Sequence, residues 1–458
     1  MKPEITDNSE KKIKKNIYGK PQAVKAIFPP GFGDTALDEI QSILGSLWFQ
    51  HKYTSKFSLL KNAIRIDNIH LFAITELLMR SQCLTDVRLI IFEGGASGIS
   101  AFVKKCRDIN WGFYLNKNMS VKIKVDSVAS RAFHETGLRE ILGGIVVEYV
   151  AEIVHGEDTD ETTIMYADLY KDRLTLSISL AGSALYKRGY RGTLSASAPL
   201  REDAAACCIR KSLQFAKNQN IDFAPNTVIV PFSGTGTFAF EYLLSHFHFS
   251  PALLPREYAL QEMPLFREDN FNFLLKKARE NCLLPSVSIA DENPVLSDAT
   301  HVYCIDNSAN ANTAFLENLQ IFKSAILTRD FSLPNDLLPL NSESNEPLYP
   351  DSFFQIDITQ LLSKEQMSVG NIFMPLNPPY GLRLGKTLDS IALYKNIATK
   401  INEISTIVQK EKKNLLGFIL CPNEEMWSAF CKTLRCLKME TYHFTQGGID
   451  IRVCQFYA

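Results

Sequence analysis

Asn377-Pro378-Pro379-Tyr380 follows an apolar run, IFMPL, that has the length and composition of a strand. A tetrad of these types at a strand end suits a planar ring bearing an exocyclic amine. The Asn377 side-chain carbonyl and the Pro378 backbone carbonyl can each accept a hydrogen bond from that amine, because proline keeps its acceptor. The Tyr380 ring can stack on the base. The corresponding chemistry is methylation of a nucleobase amine. A stiff turn is written with the same residues, so the tetrad alone leaves the two readings close.

A second stretch, NTVIVPFSGTGTFAFEYLL, supplies a partner. Thr227 to Pro231 reads as a short buried strand, Ser233-Gly234-Thr235-Gly236-Thr237 as a tight turn, and a helix opens at Thr237. Gly234 and Gly236 let the backbone approach a ligand with no Cβ in the way. The third spaced glycine of a dinucleotide fingerprint is missing, and no Gly-Lys-Ser/Thr follows to make a phosphate loop. Val302 to Ile305 reads as another short strand, ending at Asp306. An acid there can accept the ribose hydroxyls of a nucleoside, or start the next helix together with Asn307 or Ser308. The segment SFFQIDITQLL places Asp357 after an alternating apolar run, where it can meet the adenine amine of a cofactor or sit at a solvated strand end.

The elements that must position these residues form two halves. The first 185 or so residues read as mixed α+β. AVKAIF is a strand, TALDEIQSILGSLW an amphipathic helix, and SVKIKVDSVAS a half-exposed strand with period two. ETTIMYADLYKDRLTLSISLAG reads as a hairpin turning at Lys171-Asp172. The helix SASAPLREDAAACCIRKSLQFA has Ser197 before it, Pro199 near its first turn, and Glu202 and Asp203 at its start. From about residue 221, strands alternate with helices, which predicts an open, mostly parallel sheet. NLLGFILC and GIDIRVCQFYA are its last strands.

Composition narrows the remaining classes. The 458 residues carry a formal net charge of −1, which says little about nucleic acid. The first twenty residues hold six Lys against three acids and read as a flexible basic leader. The ten Cys are scattered, with Cys207 and Cys208 adjacent and no CxxC pair, so metal ligation is not expected and buried free thiols are. His134 and His443 read as packing or surface residues. No signal peptide or membrane-length apolar run is present, and a cytoplasmic location is expected.

Read together, these stretches resemble the THUMP-containing ribosomal RNA guanine-N2 methyltransferases of the large-subunit type. The likeness rests on LYKRGYR (Leu185 to Arg191), APLRE (Ala198 to Glu202), VPFSGTGTFAFE (Val230 to Glu241), YCIDNSANANTAFLEN (Tyr303 to Asn318) and NPPYGLRLG (Asn377 to Gly385), in the family's order. It implies an α/β, Rossmann-like class I methyltransferase domain over 221–458, preceded by a basic leader (1–20), an α+β subdomain (21–80), a THUMP-like RNA-binding module (81–185) and a linker helix (186–220). A second, C-terminal methyltransferase module is not expected.

By resemblance, Pro231, Ser233, Gly234, Thr235, Gly236 and Thr237 cradle S-adenosylmethionine, Asp306 binds its ribose, and Asp357 lies near its adenine. Asn377, Pro378 and Tyr380 hold the guanine amine and base. Arg383 matches a basic residue just beyond the tetrad, and Lys187, Arg188 and Arg191 are read as phosphate contacts. The family usually has Asp where this chain has Val230, and Glu where it has Leu382. The implied reaction is methyl transfer from S-adenosylmethionine to the N2 amine of a guanine in 23S ribosomal RNA, without a metal. Two other readings stay open. One is an enzyme for tRNA guanine-N2 or for nucleic-acid adenine-N6. The other is a non-catalytic RNA-binding or ribosome-assembly protein, resting on Val230.

Overall fold

The computed structural model describes residues 11–49, 54–131, 134–156, 162–194, 200–284, 301–333, 353–355, 371–380 and 387–458. Asp357, Arg383, Leu382, Ser197 and Pro199 lie outside them.

In chain order, the first part contains β1 (Gln22–Ile27), α1 (Gly33–Gly45), β2 (Lys56–Leu59), β3 (Ala63–Ile69), α2 (Leu71–Arg80), β4 (Asp86–Gly95), α3 (Ile99–Arg107), β5 (Ser120–Val128), α4 (Glu135–Val146), β6 (Glu152–Ile153), β7 (Thr162–Tyr170) and β8 (Arg173–Ser179). The second part contains α5 (Glu202–Asn218), β9 (Pro225–Pro231), α6 (Thr237–His246), α7 (Glu268–Glu280), β10 (His301–Ile305), α8 (Ala309–Leu327), β11 (Asn371–Leu376), α9 (Thr387–Lys410), β12 (Leu415–Cys421), α10 (Glu424–Thr433), β13 (Lys438–Gln446) and β14 (Ile449–Tyr457).

The chain divides into two compact units. The first comprises 1–28, 36–187 and 255–280. One eight-stranded sheet, β2-β3-β1-β4-β8-β7-β5-β6, runs through it. The expected boundary at 80/81 falls inside that sheet, because β4 pairs antiparallel with β1. The β7–β8 hairpin turns at Lys171 and Asp172, both with positive φ (49° and 61°), the pairing that matches the twist of a two-residue hairpin.

Two further boundaries differ from expectation. Residues from Lys11 onward are not a loose leader: Ile13 and Ile17 are buried, and the Tyr18 hydroxyl donates to the Leu265 carbonyl at 2.8 Å. Their spacing of four puts both isoleucines on one helical face within a lysine-rich run. Segment 255–280 also returns to this unit. The Leu260 amide donates to the Leu180 carbonyl (3.1 Å), and the Arg256 guanidinium donates to the carbonyls of Ser183 and Leu185.

The second unit comprises 29–35, 188–254 and 281–458. Its six-stranded sheet has the order β10-β9-β11-β12-β14-β13. β10, β9, β11 and β12 are parallel, as expected; β14 and β13 are antiparallel. Four of these parallel strands read as apolar runs because both faces are covered. Ile397, Ile401 and Val408 of α9 and Phe430 of α10 pack with Ile419 and Phe456 of the sheet. The helix expected as a linker, α5, belongs to this unit and buries Ala204, Ala205, Cys207, Cys208 and Ile209. The adjacent cysteines are thus core residues outside any disulfide.

Gly417 is tightly packed within the sheet. It sits in β12 opposite Met374 of β11 and Phe456 of β14. A Cβ there meets Phe456 Cζ at 2.5 Å and the Met374 carbonyl oxygen at 2.7 Å. Gly417→Ala is predicted to destabilise the protein by about 1–3 kcal/mol, measured by urea unfolding.

Candidate functional site

Three parallel strands end side by side. β10 runs into Asp306, β9 into Phe232 and Ser233, and β11 into Asn377. The chain leaves β9 toward β10 on one side, while β11 and β12 lie on the other. Such a reversal of strand order opens a crevice at the carboxyl ends of the strands. A cavity of about 460 Å³ occupies this position, within the range of small-molecule sites. Its lining includes Ser233, Gly234, Thr235, Thr237, Asp306 and Asn377.

The turn after β9 is held at several points. Phe232 takes a left-handed φ of 54°, Gly234 54° and Gly236 86°. The Ser233 amide donates to the Ile305 carbonyl (3.0 Å), and the Gly236 amide closes the turn onto the Ser233 carbonyl (2.9 Å). Asn318 of α8 donates to the Thr235 carbonyl at 2.9 Å. A Cβ on Gly236 would come within 2.6 Å of Phe315 and 2.7 Å of Phe240, so the second glycine is required by packing as well as by φ. A Cβ on Gly234 meets nothing within 4 Å. That glycine leaves cavity space open beside the backbone.

Asp306 does two jobs with one carboxylate. Oδ2 accepts the Gly234 amide at 2.9 Å, and Oδ1 accepts the Ser308 amide at 2.9 Å. Ser308 then caps α8 through Ala311. The capping reading of this segment therefore holds in part. Each carboxylate oxygen keeps a second lone pair for a further donor.

Asn377 is the unsatisfied member. Its Oδ1 is buried and has no hydrogen-bond partner among the described residues, in a cavity that also contains the glycine turn. A buried acceptor left without a donor costs about 1–3 kcal/mol, and this one lies where a donor entering the cavity can reach it. Pro379 lines the cavity with it. Pro378, Tyr380, Pro231 and Gly236 are not among the described lining residues. Tyr380 is partly buried, and burial beside Cys208 and Cys421 pushes its phenol well above the usual range. Phe232, Phe353 and Phe354 add apolar walls that sequence patterning did not mark. Val230 is buried in β9 and is likewise not among the described lining residues.

The basic motif is placed differently from expectation. Arg188 is 1% exposed and its guanidinium faces Glu241, with Nε–Oε1 and Nη2–Oε2 both at 3.3 Å. The Tyr190 hydroxyl donates to the same carboxylate at 2.9 Å. Arg188 is therefore a core ion-pair residue and no phosphate contact, since its charge is withdrawn from solvent. Arg191 is engaged inside this unit too, pairing with Glu202 and donating to the Leu200 carbonyl at 2.6 Å. Lys187 is exposed. Among the described residues, no group of three or more His, Cys, Asp and Glu is placed to hold a metal ion.

No protein-family model matches the chain. It is similar to the ribosomal RNA large subunit methyltransferase K/L of Legionella pneumophila (Philadelphia 1), 22% identical over 333 residues, covering 72% of this chain and 41% of that protein. The corresponding protein of Psychromonas ingrahamii is 23% identical over 355 residues, covering 75% and 39%. The chain thus spans about two fifths of the length of the curated relatives it matches. Among solved structures, SMU.472, a methyltransferase-type protein crystallised with SAH, superposes with a TM-score of 0.68 at 16% identity, over 95% of this chain and 98% of that one. TrmN from Thermus thermophilus superposes with a TM-score of 0.56 at 15% identity over the same shares. The chain has the mixed α/β fold of these methyltransferases and is related to the K/L proteins at low identity.

Two outcomes follow for the buried charges. Arg188→Ala leaves Glu241 buried without its main counter-charge, and a loss of about 3–5 kcal/mol in chemical unfolding is expected. Burial pushes the Glu202 carboxyl up to about 7, against the opposing pull of Arg191. The folded state therefore holds this proton more tightly than the unfolded chain. The stabilisation from Glu202 is fully present below about pH 4.5 and is lost as pH rises through about 7. Melting temperature measured against pH should show that decline in the wild type and a flatter profile in Glu202→Gln.

Proposed function

We propose that this protein transfers a methyl group from S-adenosylmethionine to the exocyclic N2 amine of a guanine in large-subunit ribosomal RNA. The observation that carries the reading is the Asn377 side-chain oxygen, buried and without a partner among the described residues, in a cavity also lined by a glycine turn and an acid. Those residues fit the cofactor. Gly234 leaves room beside the backbone, and Asp306 keeps lone pairs for ribose hydroxyls. Phe353 and Phe354 offer apolar faces to a purine. When bound, S-adenosylmethionine supplies a methyl group activated by its sulfonium.

The work of the chain's own residues is orientation and electrostatics. The amine donates one hydrogen bond to Asn377 Oδ1 and one to the Pro378 carbonyl. These acceptors draw the nitrogen lone pair out of conjugation and stabilise the positive charge that develops on the nitrogen, which then loses one proton to solvent without a strong base. Tyr380 is assigned the base-stacking role in this reading, which requires its ring to turn toward the cavity when the base enters. The base must leave its stack to reach the pocket, which a loop or melted helix allows most easily. The first unit is assigned RNA binding, with Lys187 as a phosphate contact. The non-catalytic reading rested on Val230. Val230 is buried in β9 and is not among the described lining residues, and absence of cofactor binding by the wild type would favour that reading.

The test is transfer of labelled methyl to RNA that lacks the modification, with nucleosides then separated. Label in N2-methylguanosine of large-subunit rRNA is expected. Label in N6-methyladenosine or in tRNA replaces the substrate and keeps the enzyme. Asn377→Ala should retain RNA binding while turnover falls by about 10²–10³-fold. Unchanged turnover at saturating cofactor removes Asn377 from the mechanism.

A further inference from the structure

Arg191 is placed where one side chain controls two walls of the cavity. Its Nη2 donates to the Leu200 carbonyl at 2.6 Å and to the Thr237 hydroxyl at 3.2 Å. Its Nε lies 2.5 Å from Glu202 Oε1 in an ion pair that lacks hydrogen-bond alignment. Leu200 lies just before α5, and Thr237 is the first residue of α6. Both line the cavity, and Arg191 itself is not among the described lining residues. Glu202 is 3% exposed, so the carboxyl that aims the guanidinium is held within the fold. A planar guanidinium presents donors in several fixed directions at once; an ammonium is a point charge and cannot reproduce them.

We propose that Arg191 is a positioning residue of the cofactor cavity: clamped by Glu202, it fixes the Leu200 backbone and the Thr237 hydroxyl in register, and cofactor affinity depends on that register. The proposal rests on the cofactor reading of the cavity. It also replaces the expected phosphate role of Arg191 with one inside the methyltransferase unit. Thr237 begins the helix that follows the glycine turn, so a shift there displaces the backbone that meets the cofactor. Asn377 follows a different strand, β11, and its geometry does not pass through Arg191. Loss of Arg191 therefore raises KM for S-adenosylmethionine and leaves kcat at saturating cofactor in place.

The deciding experiment is calorimetric titration of S-adenosylhomocysteine into the full chain. Wild type, Arg191→Gln, Arg191→Lys, Thr237→Ala and the Arg191→Gln/Thr237→Ala double variant are compared, with KM and kcat for methyl transfer measured alongside. A Kd weaker by about tenfold or more is expected for Arg191→Gln, from the lost charge-assisted hydrogen bonds. Arg191→Lys should recover little of it. The double variant should be no weaker than Arg191→Gln alone, because the Thr237 contact is already lost with the guanidinium. Wild-type affinity in a folded Arg191→Gln protein, or strict additivity in the double variant, overturns the proposal. A fall in melting temperature with unchanged Kd and KM also overturns it, leaving a purely structural role. If Arg191→Gln does not fold, Glu202→Gln keeps the guanidinium and decides: weakened affinity supports the clamp, and wild-type affinity overturns it. Failure of the wild type to bind S-adenosylhomocysteine overturns the cofactor reading and this proposal together. Binding by the wild type with no response in the variants overturns this proposal alone.

Discussion

The site depends on a carboxylate at the end of β10. Asp306 accepts the Gly234 amide with one oxygen and the Ser308 amide with the other. It thereby ties the turn after β9 to the start of α8. A charge-assisted bond of this kind is stronger than an ordinary amide pair, and here it fixes a turn that has three left-handed residues. α8 holds the same turn again from further along its length, through Asn318 on the Thr235 carbonyl and Phe315 against Gly236. Both grips hold the turn in the cavity wall. Asn377 can then remain a buried acceptor without a protein donor among the described residues.

Behind the turn lies an unusually charged interior. Glu241 is fully buried between Arg188 and Tyr190, and Glu202 pairs with Arg191 nearby. Burying such pairs yields little net stability over an apolar packing of similar shape. What they supply is direction. Glu241 is on α6, the helix that begins at the glycine turn, and Arg188 and Tyr190 anchor it from the preceding segment. Arg188, Tyr190 and Arg191 are thus inward-facing fasteners for the helix that follows the glycine turn.

Much of the second unit was legible. Short apolar runs bounded by Gly, Asp or Pro marked the ends of β9, β10 and β11, and the residues at those ends line one cavity. The Lys171-Asp172 turn was legible because its flanks alternate and its residues tolerate positive φ. Other features depend on distant partners and left no local mark. Arg188 looks like part of a solvated basic run until Glu241, 53 residues later, is seen beside it. The pairing of β4 with β1 across 80/81 is a long-range choice. β13 was missed because KMETYHFTQ is an edge strand with a largely polar sequence. The return of 255–280 to the first unit rests on long-range contacts, among them the Arg256 bonds to the Ser183 and Leu185 carbonyls, that leave no local mark.

The most direct measurement is a crystal structure of the full chain with S-adenosylhomocysteine. The account predicts ligand density in the cavity at the ends of β9, β10 and β11. The ribose should lie at Asp306, the amino-acid portion along Ser233 to Thr235, and the sulfur should face Asn377. The Asn377 side-chain oxygen should still lack a protein donor. Density in any other place, or a cavity closed by a protein donor on Asn377, would contradict it.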